Sequence, residues 1–146
     1  MSKKLNAADF IELKLRFDQQ LSNGQRAEIR RARDPEELMM IPAAWKLGVP
    51  VTSKWAQVIM FLPLAPHQEG KRLGSELFAG KINETRLFQV LRSSSPRDLE
   101  YLRRLIRQVK PRLDWGQTGM MLFFWNEMSK RRLVEDYYMR SLKKGN

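Results

Sequence analysis

The chain has 146 residues, 42% of them hydrophobic, enough for one ordinary core or for two small lobes sharing one. Its 27 Lys and Arg outweigh 16 Asp and Glu, a formal net charge of +11, and it has no cysteine. These counts exclude a disulfide framework and a thiolate metal site, and they point to an anionic partner, nucleic acid before membrane headgroups.

The charge is uneven. Residues 1–50 carry nine basic and seven acidic groups, residues 51–146 eighteen and nine. Arginine exceeds lysine, 16 to 11, and its forked guanidinium suits phosphate oxygens. The longest apolar run, Val58 to Ala65, contains Pro63 and is far too short to span a bilayer. No long apolar run follows Lys3 and Lys4, so no secretory signal is expected, and the chain reads as soluble and cytoplasmic.

In chain order, Asn6 caps a first helix to about Leu21, with Asp9 at N3 and a stripe of Phe10, Leu13, Phe17 and Leu21. Ser22-Asn23-Gly24 breaks it. A short second helix, Gln25 to Arg33, carries Arg26, Arg30, Arg31 and Arg33 and must face water or a ligand. Asp34-Pro35-Glu36-Glu37 is a proline-led start for a helix through Ile41, and Pro42 opens another through about Leu47. Trp55 to Leu62 suits a strand or a helix. Helix is preferred, starting at Thr52 or Ser53, because no other segment offers a strand partner. Pro66 to Gly70 is a loop, and Arg72 to Ala79 a short helix ended by Gly80.

The stretch from Lys81 to Arg112 holds nine Lys or Arg against three acids. Asn83 caps a helix of about ten residues. Ser95-Pro96-Arg97-Asp98 reads as a capping box opening a helix from Pro96 to about Lys110, which Pro111 stops. On a helical wheel Leu99, Leu102, Leu105, Ile106 and Val109 share one face. Arg103, Arg104, Arg107 and Lys110 share the other, with Glu100 the one acid. Arg103 and Arg107 stand four apart and repel by a few tenths of a kcal/mol, a cost that an anionic partner offsets. Asp114 then caps a segment with Gln117 at N3 and a dense apolar cluster, Trp115 and Met120 to Trp125. A break near Asn126 or Ser129 precedes a last helix through Leu142, and residues 143–146 should fray. The fold class is all-α, about eight short helices in two small lobes, 1–80 and 81–146, the second bearing the main basic face.

Nothing here resembles a catalytic or metal site, and no cofactor is expected. His67, the single histidine, reads as a solvated loop residue. Glu135-Asp136 reads as a balance for Arg131, Arg132 and Arg140 one turn away. Gly70 and Gly74 lack the spacing of a phosphate loop. Trp45, Trp55, Trp115 and Trp125 have aliphatic neighbours and read as core rather than as platforms for stacked bases.

Six motifs in order carry a family resemblance. They are N-G-x-x-A-x-I-R-R (Asn23 to Arg31), P-x-E-L and I-P-A (Pro35 to Ala43), G-K-I-N-E-x-R-L-F-Q-V-L-R (Gly80 to Arg92), L-R-R-L (Leu102 to Leu105), L-D-W (Leu113 to Trp115) and L-x-E-D (Leu133 to Asp136). In these the chain resembles the CasB family, small subunits of the type I-E CRISPR surveillance complex, Cascade. The resemblance covers most of the chain and is weakest from Val49 to Arg72, onto which no role is carried. It implies an all-helical protein without catalytic activity. Two copies would lie side by side against the crRNA-bearing subunits, holding crRNA–target hybrid and displaced DNA in an open R-loop. The partners implied are crRNA and target DNA, other Cascade subunits and a second copy, with no membrane.

The residues placed on nucleic-acid backbone are Arg30 and Arg31 of I-R-R, Arg86 of N-E-x-R, and Arg103, Arg104 and Arg107. Arg92, Lys110, Arg112, Lys130, Arg131 and Arg132 form a second group, whose spacing equally suits a solvated face. Ion pairs with Glu28 or Glu84 are the alternative use of Arg31 and Arg86. The competing functions are a helix-turn-helix DNA binder, which would prefer one duplex sequence, and a structural adaptor whose cations meet acidic protein faces.

Overall fold

Capping chemistry sets most of the helix starts. In the computed structural model, which describes residues 4–144, ten α-helices follow one another: α1 (Ala7–Gln20), α2 (Asn23–Arg31), α3 (Pro35–Leu38), α4 (Pro42–Trp45), α5 (Ser53–Ile59), α6 (Leu73–Ala79), α7 (Glu84–Arg92), α8 (Arg97–Val109), α9 (Trp115–Phe123) and α10 (Glu127–Lys144). The protein is all-α, and eight of these helices have seven residues or more. No strand forms among the described residues; His67 and Leu113 make a single isolated bridge.

Asn6 and Asp9 form a reciprocal capping box on α1. Asp34 accepts from the Glu37 N–H, Asn83 from that of Arg86, and Asp114 from those of Gly116 and Gln117, as the sequence leads one to expect. The Asn126 side chain accepts from the Ser129 N–H at the start of α10. The ambiguous run after Thr52 is helical as α5. The second helix begins earlier than its composition suggests, because Ser22 and Gln25 form a capping box that brings Asn23 and Gly24 into α2. It ends at Arg31, which leaves Arg33 outside.

The core is one apolar cluster running from Phe10 to Tyr137. Two close crossings organise it. Gly119 of α9 faces Phe10 of α1, where a Cβ would stand 2.4 Å from the phenylalanine Cβ. Gly74 of α6 faces the backbone of α10, where a Cβ would stand 2.2 Å from the Leu133 carbonyl oxygen. Both helix pairs therefore approach at distances that only glycine permits.

Four expectations fail here in whole or in part. Trp45 is 48% exposed, because α4 is one turn long and puts Ala43 and Ala44, not the indole, into the core; its Nε1–H donates to the Met39 carbonyl at 3.0 Å. His67 is half-buried, and its Nδ1 accepts the Trp115 N–H at 3.0 Å, so it anchors the start of α9 rather than facing solvent. Asp136 feels the charge of Arg132 one turn away, as expected, but its ion pair is with Arg72 at 3.3 Å, a partner from distant sequence brought close by the α6–α10 crossing. Ser95 does not cap α8, which begins at Arg97 without a side-chain cap. Asp98 points inward instead, accepting from Trp125 Nε1 at 2.8 Å and pairing with Lys130 Nζ at 3.0 Å, because a buried indole N–H and ammonium each require an acceptor.

Candidate nucleic-acid interface

The apolar face of α8 is as the wheel places it: Leu99, Leu102, Leu105 and Ile106 are buried, and Val109 packs partly against the core. Lys110 ends the helix in a left-handed conformation, φ 54°. Arg104 and Arg107 are exposed on the opposite side, and the Arg104 guanidinium lies 5.7 Å from the Tyr101 ring centroid, one turn back.

Arg103 is not on that exposed face. It is 7% exposed and reaches the last turn of α2, where Nη1 donates to the Ala32 carbonyl at 2.8 Å and Nη2 to that of Arg30 at 3.2 Å. Its position on the wheel borders the apolar stripe, and the carbonyls that α2 leaves free at its C-terminus draw the guanidinium inward. Arg107 Nη2 donates to the same Arg30 carbonyl at 3.1 Å. Burial and, after it, the neighbouring charge of Arg107 lower the Arg103 pKa to about 10, with Glu37 opposing both. The side chain stays cationic at neutral pH, with its buried Nε unpaired.

These bonds bring the end of α2 against α8. Arg30 and Arg31 are exposed there, beside Arg107. On a third helix, α7, the Arg86 Nη1 donates to Gln108 Oε1 at 2.5 Å, and Gln108 stands one turn beyond Arg104. Arg86 thus joins α7 to α8 through a neutral amide, while Glu84 accepts from the Tyr138 hydroxyl. The two helpers of this group, Gln108 and Tyr101, were legible only as i+4 and i−3 neighbours of Arg104.

The second set is scattered. Arg92, at the end of α7, lies 5.3 Å from the Phe88 ring centroid, beside a groove also lined by Tyr138. Arg112 is exposed after α8, and Arg131 and Arg132 are exposed on α10. Lys130 is withdrawn from the set: it is buried, and its Nζ donates to the Ser93 carbonyl at 2.8 Å as well as pairing with Asp98. Arg26 similarly turns inward, donating to the Asp18 and Leu21 carbonyls at the end of α1.

Among the described residues no three His, Asp or Glu side chains are grouped so as to hold a metal ion, and no helix is long and apolar enough to cross a membrane. Comparison with known proteins then gives the family. No family model matches the chain. The CRISPR system Cascade subunit CasB of Escherichia coli strain K12 is 35% identical to it, over 86% of this chain and 90% of that protein. This chain belongs to the CasB family. A chain in the crystal structure of E. coli Cascade bound to a PAM-containing double-stranded DNA target superimposes with a TM-score of 0.82 at 32% identity, covering 92% of this chain and 97% of that one. The identity to CasB and the family resemblance read in the sequence therefore agree.

Proposed function

We propose that this chain is the small, non-catalytic subunit of a type I-E CRISPR surveillance complex, and that it holds crRNA–target hybrid and displaced DNA strand open as an R-loop through phosphate contacts. The observation that carries this reading is the cationic group at the junction of α2 and α8, where Arg30, Arg31, Arg104 and Arg107 are exposed and where the tethers are carbonyls and an amide rather than carboxylates. Tethers of this kind fix the scaffold without cancelling its charge. Arg86, Lys110 and Arg112 extend the surface, and Arg92, Arg131 and Arg132 offer contacts elsewhere. Base pairing with the guide supplies sequence specificity, and R-loop opening is a near-balanced exchange, so a few backbone contacts tip it. The chain would work in the cytoplasm, beside a second copy and the other Cascade subunits.

The test is Arg31→Ala with Arg104→Ala in the reconstituted complex. Assembly should be normal by size-exclusion chromatography, while retention of the opened DNA falls and becomes more salt-sensitive. Wild-type retention in a normally assembled complex would falsify the reading. An adaptor role is favoured by one different observation, the exposure of Met39, Met40 and Trp45, an apolar group suited to a protein neighbour. Under that reading the double variant changes assembly and not DNA retention.

A further inference from the structure

We propose that Arg103 is a positioning residue for the phosphate-binding surface: by donating to the Arg30 and Ala32 carbonyls it clamps the end of α2 to α8, so that Arg30 and Arg31 stand with Arg104 and Arg107 as one cationic group. The inference rests on the proposed nucleic-acid function and deepens it. Arg103 itself is too buried to touch a ligand. Three observations assign it this role. It supplies two of the three side-chain hydrogen bonds that arginines of α8 make to the end of α2. Those bonds end on backbone carbonyls, so no acid is introduced beside Arg30 and Arg31. And a guanidinium is held out of water next to Arg107, with its Nε unpaired, an arrangement that stability alone does not favour. An apolar side chain could fill the same space, but it would leave the Ala32 carbonyl without its donor and the Arg30 carbonyl with Arg107 alone, and so let the helix end drift.

The experiment is a double-variant cycle on the full chain, read as the salt dependence of its binding to fluorescent oligo(dT) by anisotropy. Arg31→Ala should reduce the log–log salt slope by about 0.7, the loss of one single-strand phosphate contact. In an Arg103→Met background that reduction should shrink to less than half, because Arg31 is no longer held in place. The effect of Arg131→Ala, on α10, should be the same in both backgrounds. General loosening of the fold would change both alike, so the split between Arg31 and Arg131 isolates positioning. Circular dichroism checks that each variant is folded at the assay temperature. If Arg103→Met is not folded, Arg103→Lys replaces it, since one ammonium reaches only one of the two carbonyls; an intermediate Arg31 effect is then expected. An equal Arg31 effect in wild-type and Arg103-variant backgrounds overturns the positioning role while leaving the nucleic-acid reading intact. A wild-type chain with no salt-dependent binding overturns the nucleic-acid reading itself, and this inference with it.

Discussion

Asp98 Oδ2 lies 3.0 Å from Lys130 Nζ, and the two side chains are only 3% and 11% exposed. The pair ties the first turn of α8 to the first turn of α10, and Trp125 Nε1 donates to the same carboxylate oxygen. Removing the acid leaves a buried ammonium with only the Ser93 carbonyl and no counter-charge, and a part-buried indole N–H without its acceptor. Asp98→Ala should therefore lose about 3 kcal/mol or more of stability. Asp98→Asn keeps an oxygen for the indole and should lose less. Urea unfolding at unchanged slope measures both, and an Asp98→Ala midpoint equal to wild type would show the pair to be idle.

The same relationship separates two lysine and arginine roles that sequence leaves mixed. Lys130→Met should lower the unfolding midpoint and leave the salt slope of oligonucleotide binding untouched. Arg131→Ala, one residue on but exposed, should leave the midpoint within about 0.5 kcal/mol and act only on the slope, if at all. Lys130→Met with wild-type stability and weakened binding would return Lys130 to the surface set.

What was legible in the sequence was local. Caps at Asn6, Asp34, Asn83 and Asp114 report on hydrogen bonds within three residues, and the period of Leu99, Leu102, Leu105 and Ile106 reports on one face of one helix. Most of the failures involve partners far away in the chain; Trp45, bonded to Met39 six residues back, is a local exception. Arg103 turns inward because α2, some seventy residues earlier, presents free carbonyls to it. Asp98 and Lys130 have each other and Trp125, and Asp136 has Arg72. A charge count sees each of these as solvent-exposed by default. The family motifs added what periodicity could not, that the N-terminal I-R-R and the central L-R-R-L belong to one protein with one architecture. The contact between them, Arg103 to the Arg30 carbonyl, emerges only from the fold.

Gly119 gives a sharp packing prediction. A methyl there would stand 2.4 Å from the Phe10 Cβ, and the α1–α9 crossing would have to open. Gly119→Ala should cost about 1–3 kcal/mol by overpacking. Gly24→Ala is the control: its Cβ would meet only Ser22 Oγ at 3.9 Å, in a helix that gains from losing a glycine, so stability should hold or rise by about 0.5 kcal/mol. Equal melting temperatures for the two variants would show that α1 and α9 have room between them for a methyl group.

Tyr138 carries a pH signature. Its hydroxyl donates to Glu84 Oε2, and that hydrogen bond, before burial and the charge of Glu84, raises its pKa from 10.0 to about 12. The folded pKa lies above the unfolded one. The contribution is therefore complete below pH 10 and is lost as pH rises through about 12. Absorbance titration of phenolate should show two tyrosines ionising late, and Glu84→Gln should bring Tyr138 back toward 10. Tyr137, raised first by burial and second by the charge of Glu84, and donating to the Ile82 carbonyl at 2.6 Å, should fall only in part and stay above its ordinary value in that variant. A Glu84→Gln titration superimposable on wild type would remove the Tyr138 assignment.

The same substitution at two apolar positions tests the placement of α8 against that of α3 and α4. Leu102 is 0% exposed at the centre of the α8 apolar face, and Met40 is 84% exposed between α3 and α4. Leu102→Asp puts an unpaired carboxylate where no donor is arranged for it, and the cooperative unfolding transition should disappear. Met40→Asp removes exposed thioether surface and should change stability by less than about 0.5 kcal/mol. Thermal circular dichroism on both separates the cases. A cooperative Leu102→Asp melt near the wild-type temperature would mean that α8 is rotated about its axis so that Leu102 leaves the core, and Arg103 would then return to solvent with it. A strongly destabilised Met40→Asp would place the α3–α4 turn in the core, and the exposed apolar group that favours a protein neighbour would no longer exist.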